Sequence, residues 1–449
     1  MKSGIKKKNR MTQTRFICIG FISIILLGTL LLMCPISSKN HTVTPFLSSM
    51  FTSLSATCVT GLVVVDTFTH WSLFGQIVIL CLIQIGGLGF ITIGVAFSLI
   101  LRQKIGLKTK GLMQESINSV KMGGIVRLAK KIIVGTLLIE GLGAIILAIR
   151  FSFDFGIGRG IYYGIFHSVS AFCNGGFDLM GIKEEFSSLS YYVTDPVVNI
   201  VIPSLIIIGG IGFVVWDDFM TNKFHFKKYK LHTKVVLTTT VFLLVSGTIL
   251  FYVTEYNNTM KDMNFFERLM ASFFSATTAR TAGFNTVDTA SLTPASKVLT
   301  IMHMFIGGSP GSTAGGIKTT TIFILAVSLW SGITNRHKTS VFKRRFEDDA
   351  IKKASTVFML NFILAIISCF TILAISPLPL EDIIFEVFSA IGTVGMSTGI
   401  TRSLNDASKI IIMFLMFCGR VGSLSFALTF LQTKKDPPVY YPKEEISVG

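Results

Sequence analysis

The chain has 449 residues, of which 50% are hydrophobic and 14% are charged, and its mean hydropathy is +0.65. The charged share is about half that of an ordinary soluble domain. This composition excludes disordered, collagen-like and disulfide-stapled proteins, and it argues against a soluble enzyme. Apolar runs of about 20 residues recur along the chain, and that is the length of a helix that crosses a bilayer. We therefore predict an all-α integral membrane protein with room for eight spans.

The net charge of +17 is unevenly distributed. Of the 41 basic residues, 29 lie in five segments: 1–15, 102–131, 223–234, 336–353 and 434–443. Loops rich in Lys and Arg stay on the cytoplasmic side, so the pattern predicts a multi-pass protein of the cell membrane with both termini in the cytoplasm. It favours anionic lipid over nucleic acid as the partner of these charges. The first apolar run extends to Met33 without a small-residue cleavage site, which indicates a retained span rather than a signal peptide.

The sequence has no arrangement typical of an enzyme or a metal centre. Its seven cysteines form no CxxC pair and its seven histidines form no HExxH motif, so neither a zinc site nor a disulfide framework is indicated. Paired carboxylates and a nucleophile beside a base are also missing. We expect no catalytic activity and no organic cofactor on this chain.

Four aligned strings follow four long apolar runs. In each string a Phe precedes a Gly by ten positions, and a Ser or Thr stands four positions after the Phe. The strings are Phe51–Gly61, Phe166–Gly176, Phe273–Gly283 and Phe385–Gly395, with glycines 115, 107 and 112 residues apart. Each is too short to cross a bilayer, and such segments enter a membrane only where protein or water covers their backbone. The pattern predicts four pseudo-repeats of span, re-entrant pore helix, filter loop and span around a single pore.

The predicted repeats alternate with cytosolic segments. Repeats 1 to 4 cover 16–101, 129–219, 233–331 and 354–431, and the second span of repeat 3 is predicted to be broken. The cytosolic segments are the basic N-terminus 1–15, the linkers 102–128, 220–232 and 332–353, and the tail 432–449. The basic segment 102–131 has two interpretations, a lipid-facing loop or a docking site for a regulatory partner.

The end of each string has the composition of a cation-selecting loop. Backbone carbonyls aimed at an axis coordinate a dehydrated cation without adding net charge, and glycine permits the dihedral angles that aim them. The near-absence of carboxylates indicates a monovalent ion. The predicted filter residues are Val59, Thr60, Gly61, Asn174, Gly175, Gly176, Thr281, Ala282, Gly283, Thr393, Val394 and Gly395. The last three resemble the TVG sequence of potassium filters.

A second glycine motif recurs 24–34 residues after each filter glycine. It reads IGGLGFI at 85–91, IGGIGFV at 208–214, IGGSPGST at 306–313 and CGRVGS at 418–423. Small residues of this kind let helices pack closely, or they supply a flexible point below the filter where a gate could lie. The sequence is compatible with both interpretations.

Residues 306–321 read IGGSPGSTAGGIKTTT within an otherwise apolar stretch. A continuous helix is disfavoured, because each Gly costs ~1 kcal/mol and each Pro ~3 kcal/mol relative to Ala. The segment differs from a nucleotide-binding P-loop by one extra residue, Ile317, and by its membrane flanks. We predict a broken span with a polar loop under the filter, which makes the loop a gate candidate, and a simple helix kink is the alternative. The loop part of the gate comprises Gly307, Gly308, Ser309, Pro310, Gly311, Ser312, Thr313, Ala314, Gly315, Gly316 and Lys318.

Arg420 is a further gate candidate, because it lies about 14 residues into an apolar span. A buried membrane arginine is costly, so it should face the pore or bond to carbonyls or a carboxylate. The alternative is a packing role against Asp217 or Glu140. Lys318 has an alternative of its own, since its long side chain could reach the cytoplasmic interface.

Together these motifs resemble the Trk/Ktr/HKT superfamily of potassium transporters, and most of all the membrane subunits of bacterial Ktr uptake systems. The resemblance covers about residues 12–432. It implies that one chain folds as four membrane–pore–membrane repeats and that the broken span carries the family's intramembrane gating loop. It also implies that Arg420 is the pore arginine, a barrier just below the filter. All four filter glycines match the potassium-selecting members, whereas Gly175 departs from the usual second filter.

The resemblance also implies a function and partners. We expect potassium uptake that is gated by the glycine-rich loop, regulated by a cytosolic nucleotide-binding partner and stimulated by sodium. Two chains would pair as a homodimer on a cytosolic ring whose subunits bind ATP or ADP and NAD-type nucleotides. Potassium is the expected ion and sodium is the candidate second ion. The alternative function is a sodium-coupled potassium symporter that works by alternating access.

Overall fold

A computed structural model describes residues 13–101, 106–116, 124–335 and 340–423, together with residues 426, 442 and 444. The predicted N-terminal segment 1–15 and tail 432–449 lie almost wholly outside the described residues. The same is true of parts of the linkers 102–128 and 332–353.

The described chain is mostly helical and has almost no strand. Its α-helices are α1 (Gln13–Met33), α2 (Phe46–Cys58), α3 (Leu73–Leu88), α4 (Phe90–Ile100), α5 (Leu107–Ser116), α6 (Ile125–Phe155), α7 (Ile157–Phe172), α8 (Pro196–Gly210), α9 (Phe213–Asn222), α10 (Leu231–Glu255), α11 (Phe265–Thr278), α12 (Pro294–Phe305), α13 (Thr319–Ile333), α14 (Asp348–Ile375), α15 (Leu380–Gly392) and α16 (Asp406–Val421). Two short strands, β1 (Ser340–Val341) and β2 (Arg344–Arg345), form an antiparallel hairpin.

Each repeat begins with a long apolar helix: α1, α6, α10 or α14. Within the described ranges these are the four helices that are long and apolar enough to cross a membrane. A short helix follows each of them: α2, α7, α11 or α15, with 13 to 16 residues. At 1.5 Å per residue these helices are shorter than the roughly 30 Å hydrocarbon core. They are the predicted re-entrant pore helices, and the all-α fold class is confirmed.

The second segments of the repeats differ from the predicted continuous spans. Repeat 1 has α3 and α4 at 96° to each other instead of one helix over 72–101, and repeat 2 has α8 and α9 at 95° instead of one over 195–219. Counting each bent pair as one span, the described ranges hold up to six spans by length and composition. The breaks fall at Gly89 (φ 79°) and Gly212 (φ 97°), and α16 ends at Gly422 (φ 91°). Glycine adopts these dihedral angles without steric cost, so the helix ends there.

The start of each second segment is encoded by a capping residue. A side-chain oxygen accepts a hydrogen bond from the backbone N–H three residues further on, which satisfies one of the free donors of the first turn. The four caps are Ser72, Asp195, Thr293 and Asn405. In α8 and α12 a proline follows the cap, where its missing N–H costs nothing.

The second segments pack tightly on the pore helices through glycine. A Cβ on Gly86, Gly209 or Gly419 would lie within 3.0 Å of a carbonyl oxygen in the last turn of a pore helix. The carbonyls belong to Thr57, Phe172 and Ile391, respectively. The break comes three residues later in each case. The first glycine of the motif therefore allows close packing, and the last glycine, three residues later, ends the helix.

We expect Gly209→Ala to destabilise the protein by about 1–3 kcal/mol, because its methyl group would press on the Phe172 carbonyl in a packed core. The adjacent Gly210→Ala is a matched control, since its nearest neighbour would be 3.5 Å away. Thermal unfolding of the two variants in detergent measures the difference. Equal midpoints would contradict the packing argument.

Candidate functional site

The four predicted filter loops meet in one closed ring. A Cβ on each filter glycine would lie within 3.0 Å of the carbonyl oxygen of the residue before the next glycine around the ring. The glycine–carbonyl pairs are Gly61–Gly175, Gly176–Ala282, Gly283–Val394 and Gly395–Thr60. Only glycine permits this approach. The structure thus brings the predicted filter residues together, with one loop from each repeat.

The backbone conformation of the loops also repeats four times. The residue two positions before each glycine has a positive φ, and so does the glycine itself. These residues are Val59 (φ 56°), Asn174 (φ 61°), Thr281 (φ 74°) and Thr393 (φ 51°). Three of them are β-branched, a class that rarely adopts this conformation. Strain of this kind persists where the surrounding structure enforces it, which happens most often at functional sites.

Two serine hydroxyls hold this conformation. Ser55 and Ser389, four residues after the repeat Phe, accept hydrogen bonds from the N–H groups of Gly61 and Gly395, each at 3.1 Å. In repeat 3 the equivalent Thr277 donates to its own helix instead. The recurrence of Ser or Thr in the register is the sequence signal for this role, but the register alone does not reveal which group the hydroxyl binds.

A cavity of about 450 Å³ opens on one side of the ring, and all four filter glycines line it. We call it the filter-side cavity. Its wall carries five carboxyl groups and one guanidinium, from Asp66, Asp178, Glu184, Glu185, Asp288 and Arg402. Burial raises the pKa of the Asp178 carboxyl to about 7, and the Asp66 carboxylate acts in the same direction. The excess of acidic groups makes the cavity attractive to cations.

The glycine-rich segment of repeat 3 is a loop between two helices. Helix α12 ends at Phe305 and α13 begins at Thr319. The ends of the loop are joined by the Gly307 N–H, which donates to the Ile317 carbonyl at 2.8 Å, and the Thr319 N–H, which donates to Gly308 at 3.1 Å. This geometry is a broken span and not a kinked helix.

The loop contacts the filter and the helix breaks of repeats 2 and 4. Its backbone hydrogen bonds to these repeats are Ser309–Gly210, Thr313–Gly209, Phe213–Gly311 and Gly316–Gly419. The Thr313 hydroxyl lies 3.1 Å from the Phe172 carbonyl and 3.2 Å from Oδ1 of Asn174. The polar loop is therefore fixed directly against one of the filter strings.

Arg420 joins the loop to repeat 1. Its Nη1 donates to the Thr313 carbonyl and its Nη2 to the Gly86 carbonyl, with a further bond from Nη2 to Gly87 at 3.1 Å. Backbone carbonyls therefore compensate the buried charge, which is one of the arrangements expected for a membrane arginine.

The alternative partners of Arg420 are engaged elsewhere. Asp217 pairs with Lys131 at 2.6 Å. Glu140 accepts a hydrogen bond from Gln84 at 3.1 Å. The packing role that the sequence left open is thus not the arrangement that the described residues adopt.

A second cavity, of about 300 Å³, lies on the far side of the loop from the filter. This loop-side cavity is lined by the loop, Lys318, Arg420 and Glu115, and no filter residue is among the described residues of its wall. The Lys318 ammonium donates to the Ala314 carbonyl at 2.7 Å, so it remains at the loop. Two basic side chains against one carboxylate make this cavity unfavourable for cations.

Comparison with known proteins identifies the family. The TrkH family of cation transport proteins matches residues 4–437. The chain belongs to this family. Its resemblance to the Trk/Ktr superfamily is therefore confirmed, and this TrkH-family chain is a multi-pass membrane transporter and not an enzyme.

Relatives of this TrkH-family chain match it from end to end. Ktr system potassium uptake protein B of Bacillus subtilis is 40% identical over 100% of this chain and 99% of its own length. Potassium/sodium uptake protein NtpJ of Enterococcus hirae is 38% identical with the same coverage. The crystal structure of the potassium transporter TrkH from Vibrio parahaemolyticus has a TM-score of 0.71 at 19% identity, covering 95% of this chain and 86% of that one. The last likeness supports the fold.

We expect Gly61→Ser to reduce the preference for potassium over sodium, because a Cβ there would lie 2.7 Å from the Gly175 carbonyl and displace it. Competition of potassium and sodium against rubidium uptake in proteoliposomes measures the preference. Gly141→Ser is the control, since nothing lies within 4 Å of its Cβ position. An unchanged potassium preference in Gly61→Ser would contradict the assignment of the Gly61 loop to the filter.

Proposed function

We propose that the chain takes potassium into the cell through the ring of four glycine loops. The observation that carries this proposal is the closed series of glycine–carbonyl approaches, which brings carbonyl groups of four equivalent loops together at one place. Such carbonyl groups replace the hydration shell of a monovalent cation. The pore helices end at these loops, so their negative dipole ends add to the attraction. The names of the relatives from Bacillus subtilis and Enterococcus hirae, both potassium uptake proteins, support the choice of ion.

The charges of the two cavities support an orientation. The acidic filter-side cavity collects cations and so faces outward. The loop-side cavity is lined by Thr14 of α1 and Glu115 of α5, which lie within two of the basic segments. Basic segments stay on the cytoplasmic side, so this cavity faces the cytoplasm and both termini lie there.

The loop and Arg420 form the gate in this proposal. A cation that leaves the ring toward the cytoplasm meets the loop first and then the charges of Arg420 and Lys318. Two unit charges 4 Å apart repel by about 4 kcal/mol at an effective dielectric constant of 20. Conduction therefore needs the loop to move away from the filter and the arginine to withdraw from the path.

The regulation follows from the family resemblance. The relative in Bacillus subtilis is named as one protein of a Ktr system, which supports a cytosolic partner for this chain. We propose a homodimer of this chain on a ring of subunits that bind ATP or ADP, with stimulation by sodium. The name of the Enterococcus hirae relative, a potassium/sodium uptake protein, supports the involvement of sodium.

The same name also favours a second candidate, a sodium-coupled potassium symporter that works by alternating access. A channel-like path gives a reversal potential that depends on the potassium gradient alone. A symporter shifts that potential when the sodium gradient is varied. Rubidium flux in proteoliposomes of defined gradients distinguishes the two, and a failure of potassium to compete with rubidium would contradict both.

Deletion of Gly311–Gly316 should raise rubidium uptake and reduce its dependence on any cytosolic partner. The deletion removes the segment that touches the second and fourth repeats, while the ring of glycines stays intact. Uptake per inserted protein is the measurement. A fall in uptake at normal insertion would mean that the loop is needed for conduction.

Arg420→Ala should raise the maximal uptake rate, because it removes a fixed charge and the link to Thr313. Arg420→Lys distinguishes the two causes. A lysine keeps the charge but cannot bond the Thr313 and Gly86 carbonyls through two arms. Wild-type rates in Arg420→Lys indicate a charge barrier, and rates like Arg420→Ala indicate a mechanical link.

Arg268→Ala is the matched control for this pair. Arg268 also donates to two backbone carbonyls, those of Met260 at 2.9 Å and Lys261 at 2.7 Å, but lies away from the loop. Its substitution should leave the uptake rate near that of the wild type. Equal or lower rates in Arg420→Ala than in this control would refute the barrier.

A further inference from the structure

Asn174 makes a side-chain hydrogen bond between the filter and the intramembrane loop. Its Nδ2 donates to the Thr281 hydroxyl at 3.1 Å, and its Oδ1 accepts from the Thr313 hydroxyl at 3.2 Å. Thr281 belongs to the third filter string and Thr313 to the loop. One amide, 1% exposed, thus connects two filter strings with the loop.

The equivalent positions in the other repeats cannot make this connection. Val59 has an apolar side chain, and the Thr393 hydroxyl has no hydrogen-bond partner among the described residues. Thr281 serves as the acceptor for Asn174. The fourfold symmetry of the filter is therefore broken at this position by an amide, which donates through Nδ2 and accepts through Oδ1, two separate atoms that reach two partners.

Thr313 is held at its other atoms by groups outside the filter. Its N–H donates to the Gly209 carbonyl at 3.3 Å, and its carbonyl accepts from Arg420. Its hydroxyl has a second acceptor in the Phe172 carbonyl at 3.1 Å. The backbone of Thr313 is thus bonded to Gly209 and Arg420, and its hydroxyl is bonded to Asn174. A movement of the loop or of Arg420 therefore changes the hydrogen bond to Asn174.

We propose that Asn174 is a specificity-determining positioning residue that couples the loop to the filter, so that the potassium preference depends on where the loop lies. With the loop in place, the amide is held from both sides and fixes the spacing of the second and third filter strings. When the loop withdraws, the amide keeps only the Thr281 bond and that spacing relaxes. This inference rests on the proposed filter and gate.

The test is a double-mutant cycle on rubidium uptake in proteoliposomes, with potassium and sodium as competitors. Thr313→Val removes the hydroxyl and keeps the shape of the side chain. Asn174→Leu removes both amide bonds at similar size. Thr300→Val is the control, because Thr300 is equally buried and its hydroxyl donates only to its own helix, at Ser296.

We expect Thr313→Val to lower the potassium-over-sodium preference by about threefold to tenfold, the range of one net hydrogen bond. It does so without touching a filter carbonyl. In the Asn174→Leu background, Thr313→Val should change the preference no further, although it should still alter the rate. Thr300→Val should change neither quantity. A merely structural threonine would affect the amount of inserted protein but not the preference.

Two results would overturn the coupling. One is an unchanged preference in Thr313→Val. The other is an effect of Thr313→Val that persists in Asn174→Leu, since it would then run through the Phe172 carbonyl. If Asn174→Leu does not insert, Thr281→Val cuts the same link at its other end and completes the cycle. The coupling and the proposed function can fail separately. If Gly61→Ser loses the potassium preference but the effects of Thr313→Val and Asn174→Leu simply add, the proposed function stands and the coupling alone is refuted.

Discussion

The architecture depends on the close approach of four glycines to four carbonyl groups. Each filter glycine lies so near the adjoining loop that a Cβ would overlap its carbonyl oxygen. This approach fixes where the pore helices must end, and thereby the spacing of the repeats around the ring. The second segments pack on the pore helices in the same way. Their glycines Gly86, Gly209 and Gly419 lie so near the last turns of the pore helices that a Cβ would overlap a carbonyl oxygen. Glycines thus determine the geometry both within the ring of loops and between the second segments and the pore helices.

The four repeats are not equivalent in their second segments. Repeats 1 and 2 interrupt their second segments at a single glycine, Gly89 or Gly212, whereas repeat 3 inserts the whole loop 306–318 at that level. Arg420 occurs in repeat 4 alone, within the motif that is otherwise built of glycines and apolar residues. A ring that selects an ion gains from equivalence, because its ligands must be equidistant. In the proposed gate one element moves while the others hold, and that element is the loop of the irregular third repeat.

The sequence predicts those features that recur. The register of Phe and Gly identifies the pore helices and the four loops that meet in the ring, and the Gly-rich stretch identifies the broken span. It does not predict the sharp bends at Gly89 and Gly212, because an apolar run of that length also suits a straight span. Nor does it predict the partners of Arg420. These are carbonyls 107 and 334 residues away in the chain, and a carbonyl carries no residue-specific signal. The sequence also does not predict the two hydrogen bonds of the Asn174 amide. The residue type can be read from the sequence, but its partners Thr281 and Thr313 lie in another repeat, 107 and 139 residues away.

Opening the gate has an energetic requirement that bears on regulation. The loop is held by hydrogen bonds to repeats 2 and 4 and by Arg420, each worth about 1 kcal/mol net. Moving a two-state element from mostly closed to mostly open takes about 5.5 kcal/mol of differential binding, and a partner supplies that only if it favours one state. In the proposed regulation, the loop-side cavity is where such a partner acts. Glu115 of α5 lines it and accepts a hydrogen bond from Thr14 of α1 at 2.7 Å, so α5 connects the basic segment 102–131 to the cavity beside the loop. A shift of α5 therefore changes the room available to the loop without any contact with the filter itself.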